Sequence, residues 1–171
     1  MSAADRERWD GRHGVAVDVG PLPPDALRGR LDLLPAGGHA LDVACGRGAV
    51  ARWLAARGFT VDALDTSPVG LAALAGVEGV RPVLHDLDDR LPAGGPYDVV
   101  VCQRFRDPAL YPALRAALVP GGLLVITVLS EVGEGPGPFR APPGELVAAF
   151  AGLEVLASRE DGGEAALVAR A

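Results

Sequence analysis

The chain has 171 residues, 49% hydrophobic and 22% charged, enough apolar material for one domain with a substantial core and too much for a disordered segment. No apolar run approaches the roughly 20 residues of a membrane helix, and the opening "MSAADRERWDGRHG" lacks a signal-peptide core, so a cytoplasmic protein with no membrane partner is expected. The net charge of −6 is spread along the chain without a basic stripe, which argues against nucleic acid, and two cysteines without a CxxC or His/Cys cluster argue against a metal site or a disulfide.

Residues 24–34, "PDALRGRLDLL", read as a helix opened by Pro24 and Asp25 and closed by "PAGG". A strand over 39–44 and a helix over 49–58 follow, the latter ending on Gly58. Residues 59–65 form a second strand, after which Ser67 and Pro68 open another helix as N-cap and first helical residue. Strands are expected over 81–86 and 97–103, separated by only ten residues, "LDDRLPAGGP". That is too short for a usual crossover helix, so one helix of the alternation is missing.

Asp107 and Pro108 start a helix over 107–119, "PGG" at 120–122 is a turn, and 123–129 is a fifth strand. Residues 130–144 make a Gly/Pro-rich loop too long for a simple connector, and "ELVAAFAG" is a short helix. Two terminal strands flank "DGG", a hairpin signal. The expected fold is therefore α/β, a doubly wound, Rossmann-like sheet, mostly parallel with an antiparallel C-terminal hairpin strand. One domain is expected over 1–171, with 1–35 as an N-terminal lid segment and helix and 36–171 as the binding core. Such sheets bind ligands at the carboxyl ends of their strands, where the topology switches.

The stretch "LDVACGRGAV" places Gly46 and Gly48 between a strand and a helix N-terminus, where a backbone without Cβ atoms can approach a ligand; an ordinary tight turn is the competing reading. Asp65 ends the second strand, 19 positions after Gly46, where a carboxylate can accept both hydroxyls of a ribose; capping of the next helix is the alternative, and Ser67 already stands ready for that. Asp86 ends the third strand and can accept from an adenine amino group, with Leu87 offering the next N–H, although "DLDDR" also reads as a solvated acidic loop. Gly46, Gly48 and Ala51 satisfy only a relaxed dinucleotide fingerprint. Asp42, four positions before Gly46, would repel a pyrophosphate but suits the ammonium group of an amino-acid-bearing nucleotide, S-adenosylmethionine.

These residues resemble the class I S-adenosylmethionine-dependent methyltransferases: "LDVACGRG" the first motif, "VDALDTSP" the ribose segment, "LHDL" the adenine segment, and "LVPGGLLVI" the turn into strand five. The opening "DRERWDGRHG" is similar to small tellurite-resistance and thiopurine-type methyltransferases, with His13 where those carry tyrosine. The resemblance implies a site for S-adenosylmethionine, and for its product S-adenosylhomocysteine, built from Asp42, Ala44, Cys45, Gly46, Gly48, Asp65, Thr66, Asp86, Leu87 and Cys102. It further implies methyl transfer to a small-molecule nucleophile such as a thiol or chalcogen oxyanion, in a monomer or homodimer.

No catalytic base declares itself. His13 is the best-placed histidine if the N-terminal segment folds over the cofactor, and a surface histidine otherwise; Trp9 would then pack over the ligand or anchor the segment. Arg104, Arg106 and Arg140 can receive an anionic substrate, Arg140 from the long loop, or simply be solvated. An NAD-dependent oxidoreductase would need a pyrophosphate loop without Asp42 and a catalytic tyrosine or lysine; the chain has no lysine, and neither tyrosine sits in a Tyr-x-x-x-Lys arrangement. A non-catalytic cofactor-binding or regulatory protein of the same fold also stays open.

Overall fold

The computed structural model describes residues 3–15, 20–88, 91–92 and 94–171. Its strands are β1 (Gly38–Val43), β2 (Phe59–Asp65), β3 (Val80–Leu84), β4 (Tyr97–Gln103), β5 (Leu118–Leu129), β6 (Glu154–Asp161) and β7 (Glu164–Arg170). They form one seven-stranded sheet in the order β3-β2-β1-β4-β5-β7-β6. The pairs among β1 to β5 are parallel, whereas β7 runs antiparallel to both β5 and β6, as the "DGG" hairpin predicts.

Both faces of the central strands β1, β2, β4 and β5 are buried, which explains their near-continuous apolar sequences. On one face Ala40, Val61, Val99 and Val125 pack with Trp53 and Leu54 of helix α2 (Ala49–Ala55). On the other, Leu41, Leu64, Val100 and Ile126 pack with Leu114 of α4 (Tyr111–Ala116) and Leu146 of α5 (Glu145–Ala149). Helix α3 (Pro68–Ala72) begins as expected, with the Ser67 hydroxyl accepting from the Gly70 N–H at 3.0 Å. Among the described residues of the β3–β4 connection there is no helix.

Two expectations are corrected, and one helix adds to them. The helix over 24–34 is replaced by two isolated 3₁₀ turns, Asp25–Leu27 and Leu31–Leu33, because Arg28 is extended and Gly29 has φ +76°. "PGG" does not end an element: the Gly121 N–H donates to Ala171 O at 2.8 Å and the Ala171 N–H to Gly122 O at 2.9 Å, so β5 starts at Leu118 and the preceding helix stops at Ala116. The opening segment contains a helix, α1 (Ala3–Val15), docked against α3. Residues 16–19 of the expected lid, and Asp89, Arg90 and Ala93 of the acidic connection, lie outside the described residues.

Strand order runs outward from β1 to β3 and returns to β4 on the far side of β1. The carboxyl ends of β1 and β4 therefore bound the crevice that such a reversal opens. No helix among the described residues is long and apolar enough to cross a membrane.

Candidate active site

The loop after β1 has left-handed backbone at alternate positions: Ala44 (φ +56°), Gly46 (φ +56°) and Gly48 (φ +75°). Ala44 takes this conformation despite its Cβ, a placement that favours glycine. The loop is pinned from both ends, with the Cys45 N–H donating to Leu64 O at 2.9 Å and the Gly48 N–H to Cys45 O at 2.8 Å. At Gly48 a Cβ would fall 2.2 Å from the Leu74 side chain, which would have to move to admit it.

Asp65 links this loop to the end of β2. Its Oδ2 accepts from the Gly46 N–H and its Oδ1 from the Ser67 N–H, both at 2.8 Å, and the residue is 6% exposed. Each oxygen holds one N–H and keeps a second lone pair. Asp65 thus organises the turn into α3 while lining the crevice.

A cavity of about 180 Å³ opens there, walled on one side by Ala44, Gly46, Asp65, Thr66 and Leu87. These five all belong to the set expected from sequence. Thr66 Oγ1 is buried and has no hydrogen-bond partner among the described residues. Opposite them stand Gln103, Arg104 and Phe105, the residues that leave β4, of which sequence reasoning missed Gln103 and Phe105. Their position just past a strand end at the switch point was the available signal.

Helix α1 supplies the remaining wall, with Trp9 and His13. Their rings stack at 6.0 Å between centroids, and Arg12 lies over the Trp9 ring at 5.1 Å. His13 sits in a notch of two glycines: a Cβ on Gly46 would come 3.0 Å from its Cε1 and one on Gly70 3.1 Å from its Cδ2. Asp10 hydrogen-bonds the Ser67 hydroxyl, and Arg47 Nη1 donates to His13 O at 2.9 Å.

The other expected residues lie apart from the cavity wall. Asp42 is buried under the first turn of α2, where burial, partly offset by the Ala51 N–H and reinforced by the charge of Asp65, pushes its carboxyl up to about 7. Burial, with the charges of Asp42 and Asp65, drives the Cys45 thiol well up, and burial with Asp42 raises Cys102 to about 12. Both thiols stay protonated near neutrality and are poor nucleophiles. Asp86 is half-buried and accepts from the Asp88 N–H at 3.1 Å.

Arg140 does not line the cavity: its guanidinium donates to Ser130 O at 2.7 Å and Gly163 O at 3.3 Å and pairs with Glu134, tying the long loop to the β6–β7 hairpin. Arg106 is likewise engaged, bidentate on Glu145, which also accepts from the Tyr111 hydroxyl at 2.8 Å. Arg104 pairs with Glu164 at 3.5 Å and Asp25 at 3.9 Å. Among the described residues no group of three or more His, Cys, Asp or Glu could hold a metal ion.

The methyltransferase domain family matches residues 22–146 of the chain. Among curated proteins, the ubiquinone biosynthesis O-methyltransferase of Xanthomonas oryzae pv. oryzae is 33% identical over 143 residues, 75% of this chain and 59% of that protein. The chain thus spans about three fifths of the length of that relative. Among solved structures, TehB from Haemophilus influenzae superposes with a TM-score of 0.75 at 18% identity, over 96% of this chain and 66% of that one. The DhpI–SAH complex superposes with a TM-score of 0.65 at 25% identity, over 85% and 82%. The TehB likeness is one of fold.

Proposed function

This chain belongs to the methyltransferase domain family, and on that premise we propose that it transfers the methyl group of S-adenosylmethionine to a small-molecule nucleophile. The observation that carries the reading is Asp65, an acid at the end of β2 with free lone pairs on a cavity wall shared with the glycine loop. The orphaned Thr66 hydroxyl beside it fits the same ligand, since a buried hydroxyl without a partner gains by meeting a polar group.

In this reading Asp65 and Thr66 hold the ribose, Leu87 packs on the adenine, and Ala44 and Gly46 admit the amino-acid end. When bound, the cofactor supplies a methyl group on a positively charged sulfur, already activated toward attack. The protein's part is then to align the acceptor and to exclude water. Trp9, His13 and Phe105 form the wall where an acceptor would lie. The cavity, about 180 Å³, is smaller than the roughly 300–1,000 Å³ of ordinary ligand pockets, so it must widen to admit both reactants.

A thiol or a chalcogen oxyanion needs no base in such a site. A hydroxyl acceptor is the second reading, favoured by the O-methyltransferase name of the 33% identical relative. It would use His13, which lines the cavity wall, as its base.

Thermal unfolding with S-adenosylmethionine, S-adenosylhomocysteine or NAD tests the cofactor. At about 100 times its dissociation constant a ligand adds about 2.7 kcal/mol, a midpoint rise of roughly 5–11 °C. The two sulfur ligands should give that rise and NAD none; the reverse pattern sinks the reading. Methyl transfer to a panel of thiols, selenite-type oxyanions and phenols then separates the acceptor classes, and transfer to none of them leaves a non-catalytic binding protein.

A further inference from the structure

Beneath the glycine loop, β1 carries a carboxylate that the cavity does not display. Asp42 is 3% exposed; one oxygen accepts from the Ala51 N–H, and Oδ2 has no hydrogen-bond partner among the described residues. Ionising an acid so placed is costly, because burial strips its water and a single N–H does not replace it. The groups around it add little help. Asp65 on β2 is a second acid whose charge opposes ionisation, and Cys45 in the loop and Cys102 on β4 are thiols kept protonated. The loop and α2 also carry Arg47 and Arg52, Arg47 donating to His13 O at 2.9 Å, and α1 brings His13 against Gly46.

We propose that Asp42 holds a proton in the ligand-free protein and releases it to solvent when a cationic cofactor settles beside Asp65 and the glycine loop, so that cofactor binding is coupled to proton release. This rests on reading the cavity as the S-adenosylmethionine site. A positive charge placed next to the Asp42–Asp65 pair stabilises the ionised carboxylate, and by reciprocity the ionised protein binds that cation more tightly. The carboxyl's placement near neutrality puts the exchange in an accessible range. S-adenosylhomocysteine has a neutral sulfide in place of the sulfonium, so its binding displaces less of the proton. The device therefore favours cofactor over product as pH rises.

Titration calorimetry of the full chain, with both ligands in phosphate and in Tris near pH 7, measures the protons exchanged. The expected result is release of a substantial fraction of a proton with S-adenosylmethionine and less with S-adenosylhomocysteine. Affinity for S-adenosylmethionine should rise roughly three- to tenfold between about pH 6 and pH 8, relative to the product. Asp42→Asn should bind with that relative pH dependence gone, whereas His13→Gln should keep it. In the unsubstituted protein, the infrared band of a protonated carboxyl should disappear on binding, a readout independent of how any variant folds. Binding without such a change, or proton release that survives Asp42→Asn, overturns the proposal while leaving the cofactor reading intact. No binding of either ligand overturns the cofactor reading, and this inference with it.

Discussion

Arg81 stands opposite Asp62 in the register of the β2–β3 pair, and its guanidinium donates through Nε and Nη2 to both carboxylate oxygens, each at 2.7 Å. Asp62 is 2% exposed on the face of the sheet where the short β3–β4 connection brings no helix among its described residues. The Tyr97 hydroxyl donates to the same carboxylate at 2.9 Å, and His39 approaches it at 3.2 Å while packing against the Tyr97 ring. A polar cluster thus takes the place that an apolar helix would have filled.

Asp62 should be a principal source of acid sensitivity. Burial raises its carboxyl, but the hydrogen bonds from Arg81 and Tyr97 and the charges of Arg81 and His39 outweigh this and hold it below the usual range. A depressed folded-state value means the stabilisation is present above the unfolded-state value and disappears as pH falls through the folded one. Asp62→Asn should flatten the loss of stability below about pH 4, measured by urea unfolding. Arg81→Ala should cost about 1–3 kcal/mol near neutrality, less than a fully buried pair because Arg81 is largely exposed.

Asp42 should act in the opposite sense. Its folded value of about 7 lies above the ordinary 3.8, so the stability it contributes is present at low pH and lost as pH rises toward and through 7. Asp42→Asn should be stabilising by on the order of 2–4 kcal/mol near pH 8, and the gain should shrink toward pH 4. Midpoints of urea unfolding at the two pH values decide it; a pH-independent difference would mean that Asp42 is ionised throughout.

Ala44→Gly should raise stability by about 1 kcal/mol, because the left-handed backbone at φ +56° strains any residue with a Cβ. Ala44→Val should lower it by more. A midpoint that falls on Ala44→Gly would show that the methyl group's packing outweighs the strain.

Asp65→Ala should weaken S-adenosylhomocysteine binding by on the order of 2–3 kcal/mol, roughly 30- to 150-fold. It should also lower the unfolding midpoint, since the Gly46 and Ser67 N–H groups lose their acceptor. Calorimetry and a thermal scan on one sample separate the effects; unchanged affinity would place the ribose elsewhere.

Gly70→Ala tests the notch that holds His13. Its Cβ would lie 2.8 Å from Gly46 O and 3.1 Å from His13 Cδ2, so the glycine loop, α3 and α1 cannot keep their present contact. A loss of about 1–3 kcal/mol is expected, with faster hydrogen exchange in α1. Exchange in α1 identical to that of the parent would show that the notch does not hold the helix.

Patterns within a few residues were enough for the strand–helix alternation, the Ser67 cap and the closing hairpin, because each rests on a local propensity or a connection length. The resemblance to the methyltransferase motifs put Ala44, Gly46, Asp65, Thr66 and Leu87 in one set, and the structure gathers those five around one cavity. What depended on distant partners was out of reach. The helical reading of 24–34 gave way to two 3₁₀ turns packed through Leu27, and "PGG" was drawn into β5 by the terminal Ala171. Arg140 and Arg106 had the right chemistry for a substrate, but their guanidinium groups are engaged by Ser130, Gly163, Glu134 and Glu145, partners 6 to 39 positions away in the chain. Helix α1 becomes a wall of the cavity only because Gly46 and Gly70, 24 positions apart in sequence, form one notch for His13. Local sequence thus determined the elements and the edge of the sheet on which the site lies, while long-range packing decided which charged side chains remain available and what closes over them.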